Sequence, residues 1–190
     1  MKKTVVIIPT YNEIENISLI IDSLFNINLT LDVLVVDDNS PDGTSKVVKN
    51  LMDKYKKKLF LEKKDKKEGL GVAYVHGFNW ALERNYDYIF QMDADLSHNP
   101  NELKKMTTRL DLDADVIIGS RYKNGVNVIN WPLSRILLSY IASIYVRSIT
   151  SMPIKDPTSG FVGYKKKVLE TLNINRIKFV GYAFQIEMKY

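Results

Sequence analysis

Asp93 and Asp95 stand two residues apart in Phe90–Pro100, FQMDADLSHNP, after the apolar run Tyr88-Ile89-Phe90 and before a turn-like Ser-His-Asn-Pro. Side chains at i and i+2 of an extended segment point the same way, so the two carboxylates can face one ligand together. Paired hard oxygens, with waters and substrate phosphates filling the remaining positions, suit Mg²⁺ or Mn²⁺. The spacing alone carries little, because D-x-D recurs at Asp111-Leu112-Asp113 and at Asp113-Ala114-Asp115. Those copies precede an apolar run and read as helix-to-strand loop acids on the opposite rim of a sheet. Only the first follows a strand.

Ligands of open parallel sheets bind at the carboxyl ends of the strands, so the residues after each apolar run carry the next clue. Pro9-Thr10-Tyr11-Asn12-Glu13 follows Thr4–Ile8, and Asp37-Asp38-Asn39-Ser40-Pro41-Asp42-Gly43-Thr44 follows Val33–Val36. Gly119-Ser120-Arg121 follows Val116-Ile117-Ile118. Together with the acid pair, four polar strand ends converge on one rim. Other phosphate-binding devices are missing: no G-x-x-x-x-G-K-[ST] occurs, and after Gly69-Leu70-Gly71 the next glycine, Gly77, comes too late for G-x-G-x-x-G. That argues against a Rossmann dehydrogenase. With only two histidines, a His-based triad or a His-rich metal site is not built here. His76 lies within a helical pattern and reads as packed or surface. His98 sits beside the acid pair, where it either touches substrate or shapes the turn.

These ends need a sheet to hold them. Strands are predicted at Thr4–Ile8, Val33–Val36, Lys58–Leu61, Tyr88–Met92 and Asp115–Ile118. Apolar spacing of i, i+3, i+4 predicts helices over Ile14–Ile27, Thr44–Tyr55, Gly71–Arg84 and Glu102–Leu110. Pro41-Asp42-Gly43-Thr44 and Asn99-Pro100 supply helix-start signals. The rhythm predicts an α/β fold, a mostly parallel sheet covered by helices on both faces. Past Ile118, the residues Leu133, Ile136, Leu137, Tyr140, Ile141, Ile144 and Tyr145 form a helical stripe, with Ser134, Arg135, Ser143 and Arg147 off it. Core packing is the default expectation for that stripe. A helix lying on a membrane interface, its arginines reaching lipid phosphates, is the alternative.

A length of 190 residues suits one domain, 1–190. The absence of cysteine excludes disulfides and thiolate metal sites and fits a reducing, cytoplasmic setting. No signal peptide is evident, since Met1-Lys2-Lys3 runs straight into Thr4-Val5-Val6-Ile7-Ile8. The longest apolar candidate, Ile136–Val146, has 11 uncharged residues, whereas a membrane span needs ~20. The net charge of +5 and the eight lysines of Lys54–Glu68 read as solvated surface, since three acids are mixed among them. No nucleic-acid-binding signature is present.

Read together, PTYNE (Pro9–Glu13), DDNSPDGT (Asp37–Thr44), GLGVAYVHGF (Gly69–Phe78), MDADLSHNP (Met92–Pro100), GSRY (Gly119–Tyr122), WPLSR (Trp131–Arg135), DPTSGF (Asp156–Phe161) and GYAFQIEM (Gly181–Met188) resemble a family 2 glycosyltransferase of GT-A fold. Within that family the likeness is to the dolichol-phosphate (polyprenol-phosphate) mannose synthases. SPDGT, MDADLSH and DPTSGF are the pieces specific to that branch. The resemblance implies that Pro9, Tyr11, Glu13, Val36 and Asp38 hold the nucleotide base and ribose. It sets Asp93, Ala94 and Asp95 against the diphosphate and sugar, with Asp95 the principal ligand of Mg²⁺ or Mn²⁺ and Asp93 beside it. Ser97 stands where some relatives use glutamine as a further ligand. Arg121, Arg135 and Ser139 match positions that engage the acceptor phosphate.

The implied donor is GDP-mannose, the acceptor a membrane-embedded polyprenyl (dolichyl) phosphate, and the outcome inversion, catalysed through Asp93, Asp95 and Arg121 by a protein peripheral to the cytoplasmic membrane face. A phosphate monoester with a second pKa of about 6 is largely dianionic at neutral pH and needs arginine forks rather than a strong base. Guanine and uracil are not separated by these motifs, so UDP-glucose is the alternative donor. Relatives continue past GYAFQIEM into another strand and a basic loop that supplies cations near the donor diphosphate. The chain stops at Tyr190, so a domain lacking those parts is expected, and a catalytically impaired nucleotide-sugar-binding remnant is the other alternative. Sugar-to-sugar transfer is disfavoured, because no Q-x-x-R-W stands near the C-terminus.

Overall fold

The computed structural model describes residues 2–122, 132–181 and 183–190, so Trp131 and Tyr182 of the motifs above lie outside the described residues. Six strands, β1 (Thr4–Thr10), β2 (Asp32–Asp37), β3 (Leu59–Lys63), β4 (Tyr88–Gln91), β5 (Val116–Ile118) and β6 (Val162–Lys165), form one sheet in the order β3-β2-β1-β4-β6-β5. The first four pair in parallel, and β6 runs antiparallel to both β4 and β5. The helices are α1 (Ile17–Asn26), α2 (Thr44–Lys54), α3 (Leu70–Glu83), α4 (Glu102–Leu112), α5 (Leu133–Thr150), α6 (Lys166–Thr171) and α7 (Ala183–Glu187). A 3₁₀ turn spans Ile174–Arg176.

Why the central strands read as unbroken apolar runs follows from cover on both faces. Alternate residues serve opposite layers: Val6, Ile8, Val33, Val35 and Phe90 pack with α1, α2 and α4. Their neighbours Val5, Ile7, Leu34, Val36 and Ile89 pack with α3, α6 and α7. On this second face α3 lies close to the sheet, because a Cβ on Gly77 would stand 2.6 Å from Ile7 Cγ2. The five predicted strands and four predicted helices are present. α1 begins later than expected, since the backbone first makes a turn in which Asn16 and Ile17 donate to the Glu13 carbonyl.

Two features depart from the sequence reading. β6 was not anticipated: Val162-Gly163-Tyr164-Lys165 is short, and its glycine breaks the apolar pattern. The glycine is a packing requirement here, because a Cβ at Gly163 would clash with Phe90 Cε1. The apolar stripe on α5, expected to enter the core, faces outward instead. Leu133, Leu137 and Tyr145 are 83%, 61% and 65% exposed, and among the described residues of α5 only Ser143 is buried. The side that α5 turns toward the protein mixes the half-buried Ile136, Ser139, Ala142, Val146 and Thr150 with the buried Ser143.

Candidate active site

The carboxyl ends of β1, β2 and β4 meet at the centre of the sheet, where Thr10 pairs with Asp37 in register and the Met92 amide donates to the Ile7 carbonyl. Asp37 is fully buried and works as a staple. It accepts from Thr10 Oγ1 at 2.9 Å, from the Ser40 amide at 3.1 Å, and from the hydroxyls of Ser40 and Ser45 at 2.5 Å each. One carboxylate thereby ties β1, the β2–α2 loop and the start of α2 together. Asp38, beside it, accepts from the Glu68 amide at 2.9 Å and the Gly69 amide at 2.7 Å, with Lys64 Nζ at 3.5 Å. It fixes the loop that leads into α3.

At this end of the rim, Pro9 and Val36 are register partners, both buried, and form the floor. Val36 turns its side chain into the core against α3, where it comes within 3.4 Å of a Cβ built on Gly77. Tyr11 is exposed and carries Lys67 Nζ over its ring at 3.5 Å. Glu13 faces inward from the same loop, its amide donating to Thr44 Oγ1 and its carboxylate accepting from Asn16 Nδ2. Burial raises the Glu13 carboxyl above its usual range, and the like charges of Asp95 and Asp93 add to that, which puts the first and fourth strand ends in one electrostatic neighbourhood.

The acid pair follows β4, as expected, and its members have different surroundings. Asp93 accepts the Tyr74 hydroxyl at 3.0 Å on Oδ1, and Oδ2 lies so close to Gly160 that a Cβ there would stand 2.5 Å away. Burial pushes the Asp93 carboxyl up; Asp95 pushes the same way, while His98, Tyr74 and Arg121 oppose. Asp95 is the more exposed acid, with Oδ1 taking the Ser97 amide at 3.0 Å and Oδ2 turned to Arg135 Nη2 at 3.6 Å. Between them Ala94 is buried, and Leu96 takes a left-handed φ of 58°, an uncommon conformation for a residue with a Cβ that is typical of functional loops. Ser97 is buried and His98 nearly so, the His98 ring centred 5.1 Å from that of Phe161. Burial lowers the His98 pKa, against the pull of Asp93 and Asp95. His76 lies at the surface, 3.3 Å from Glu62.

Arg121 closes the site from the end of β5. Its amide and Nε both donate to Asp156 Oδ2 at 2.9 Å, and Nη2 donates to Asp156 Oδ1 and to Thr158 Oγ1. Burial alone would raise the Asp156 carboxyl, but the Arg121 hydrogen bonds and charge outweigh it and hold it below the usual carboxylate range. Ser143 of α5 stands against the same pair, 3.5 Å from Asp156 Oδ1, so α5 docks on this turn through that serine. Arg135 and Ser139 lie one helical turn apart on α5. The two later D-x-D copies sit away from the rim, as predicted. Asp111 accepts from the Tyr88 hydroxyl, Asp113 from Arg109, and Asp115 pairs with Lys165 and Lys167.

A profile of glycosyl transferase family 2 matches residues 5–172. The chain belongs to that family. This family 2 chain is 41% identical over its whole length to polyprenol monophosphomannose synthase of Mycolicibacterium smegmatis, covering 71% of that protein. It is 39% identical, over 99% of its length, to undecaprenyl-phosphate mannosyltransferase of Micrococcus luteus, covering 76% of it. It is 39% identical over 93% of its length to dolichol-phosphate mannosyltransferase of Pyrococcus furiosus, of which it spans half. Among solved structures, glucosyl-3-phosphoglycerate synthase of Mycobacterium tuberculosis with Mn²⁺, UDP-glucose and glycerol 3-phosphate superposes with a TM-score of 0.67 at 18% identity, covering 98% of this chain and 64% of that one. A mannosyltransferase of Pyrobaculum calidifontis with GDP-mannose and Mn²⁺ gives 0.59 at 20% identity, covering 90% and 46%. The fold of this glycosyltransferase chain is therefore GT-A.

Among the described residues no three His, Cys, Asp or Glu side chains cluster as a metal cage. The acid pair nonetheless fits a hard divalent cation shared with a diphosphate, because such ions take one or two carboxylates and fill the rest of their shell with water and phosphate oxygens. Asp95, a third exposed with Arg135 as the neighbour of its Oδ2, fits that role better than Asp93, whose Oδ1 is engaged by the Tyr74 hydroxyl. The sequence reading quoted GLGVAYVHGF and DPTSGF as motifs but assigned no role to Tyr74, Asp156, Thr158 or Gly160. Tyr74 sits on a helix stripe that reads simply as core, and no local pattern shows that residues 156–160 reach back to β4 and β5.

Proposed function

We propose that this chain transfers mannose from GDP-mannose to a polyprenyl phosphate with inversion, assisted by Mg²⁺ or Mn²⁺ and working at a membrane surface. The observation that carries the reading is the 3.6 Å approach of Arg135 to Asp95, which brings a cation of α5 face to face with the D-x-D loop. It supports a donor site on the acid side and an acceptor-phosphate site between Arg121 and Arg135, with Ser139 one turn further along α5. The names of the relatives similar along the whole chain support the same chemistry. Pro9, Tyr11, Glu13, Val36 and Asp38 form the nucleotide end, and Asp93, Ala94 and Asp95 the sugar and diphosphate end.

An oxygen of the acceptor phosphate attacks the anomeric carbon as the bond to the β-phosphate oxygen breaks and GDP departs. The nucleophile is already dianionic, so no proton has to be removed and no histidine base is needed. Asp95, with Asp93 and Ser97 at its side, would hold the divalent cation, which neutralises charge on the leaving diphosphate. Asp93, locked by Tyr74, orients the sugar. The outward Leu and Ile side chains of α5 lie on the same helix as Arg135 and Ser139, which suits an acceptor whose phosphate enters the site while its tail stays in lipid. No helix among the described residues is long and apolar enough to cross a membrane.

The test is radiolabel transfer to polyprenyl phosphate, with GDP-mannose and UDP-glucose side by side, for wild type and Asp95→Ala. Mannose transfer that is abolished by chelation and reduced roughly 10²-fold or more in Asp95→Ala is expected, by analogy with loss of a transition-state charge stabiliser. Equal turnover in the two proteins sinks the metal assignment. Glucose transfer alone reassigns the donor, and donor binding without turnover identifies a binding remnant.

A further inference from the structure

Lys189 follows α7 and ends inside the protein rather than in solvent. Its Nζ donates to the carbonyls of Pro157 at 3.1 Å, Ser159 at 2.8 Å and Gln185 at 2.9 Å, with Gln185 Oε1 at 3.4 Å. An ammonium has three donors and is almost always paired with an acid when buried; here the cage is made of neutral oxygens. Burial brings Lys189 down to about 7, against the attraction of Asp156 and Asp93. An aliphatic side chain would fill this space without that penalty.

We propose that Lys189 is a positioning residue of the transfer site: its Nζ latches the Asp156–Ser159 turn and thereby fixes the guanidinium of Arg121 at the acceptor end. The inference rests on the reading that Arg121 engages the acceptor phosphate. Two of the four oxygens around Nζ belong to that one turn. At its start Asp156 receives three N–H groups of Arg121. At its end the Ser159 hydroxyl donates to the Gly119 carbonyl at 2.8 Å, two residues before Arg121, and Gly160 abuts Asp93. The turn thus grips both the strand end and the side chain of Arg121, and Lys189 holds the turn from behind. Hydrogen bonds in a low-dielectric interior are stronger than in water and directional, which suits a latch.

The experiment uses the whole chain with Lys189→Met and Lys189→Gln. The Nε–H resonance of Arg121, one of six arginines and assigned by its loss in Arg121→Lys, reports the fork without any turnover. Steady-state transfer with donor and acceptor varied separately reports the consequence. In Lys189→Met the resonance shifts or broadens, and the acceptor KM rises roughly tenfold or more while the donor KM stays within about twofold. Lys189→Gln, which keeps a shorter donor, moves both readings the same way by less. An unchanged Arg121 resonance, donor and acceptor KM rising together, or failure of both variants to fold overturns the latch. Absence of transfer in the wild type overturns the functional reading instead, and the resonance alone then decides the role of Lys189.

Discussion

Asp93 accepts a hydroxyl on one side and on the other lies where only a glycine at 160 leaves space for its Oδ2. Tyr74→Phe removes the donor and keeps the ring stacked on Phe184, so the loss isolates one hydrogen bond. A buried acceptor left without its partner costs about 1–3 kcal/mol. Denaturant unfolding should read a loss of that size, and transfer kinetics should show kcat falling more than the donor KM rises. Asp156 makes a pH prediction. Its carboxyl lies below the ordinary aspartate value of 3.8 when folded, so the unfolded chain takes up the proton first as the solution is acidified. The stability gained from the Arg121 pair is complete above 3.8 and is lost as pH falls through the lower folded value. Asp156→Asn should therefore cost about 3–5 kcal/mol near neutrality, the range for breaking a buried ion pair, and the gap to wild type should narrow in acid. Acid-titrated melts of both proteins check it. At this scale the acid pair was legible because it follows a strand, and the Asp38 and Arg121 positions were legible from their motifs. Tyr74 and Asp156 were not, because each acts on a residue distant in sequence, and short-range pattern has no access to that pairing.

The helices and parallel strands were read correctly where long apolar runs or helical spacing spoke for themselves. β6 escaped because four residues containing a glycine carry no period, and its place between β4 and β5 is decided by packing. Gly163→Ala tests that origin: the added methyl meets Phe90 in a filled layer, and overpacking of this kind costs about 1–3 kcal/mol. A Tm unchanged by the substitution would contradict the packing account. α5 shows the opposite error. Its apolar spacing was plain, but periodicity states that a helix has two unlike faces and not which of them meets the protein. Ser143 docking on Asp156 and Thr158 decides the orientation.

Over the whole molecule, one consequence of that orientation is an apolar ridge on a helix that also carries Arg135 and Arg147, in a chain with a formal net charge of +5. Anionic vesicles should therefore bind the protein through both the ridge and its basic surroundings. Leu137→Glu and Ile144→Glu alter side chains that are 61% and 45% exposed. Each should weaken co-sedimentation with anionic vesicles while leaving Tm within about 2 °C, because the substituted residues contribute little to folding. Retained binding in the double variant would remove α5 from the membrane reading.

The sheet order has a consequence for how the molecule comes into being. β5 pairs with β6, and β6 is what joins it to the rest of the sheet. A chain emerging from the ribosome completes β1 to β4, which pair among themselves, well before Val162 is made. The arginine at the end of β5 must wait for that strand to arrive, and at about 5–20 residues per second the wait is several seconds. During it the carboxyl ends of β1, β2 and β4 can already be in place while the Arg121–Asp156 pair is not. On the proposed reading, the order of synthesis separates the two substrates' sites in time.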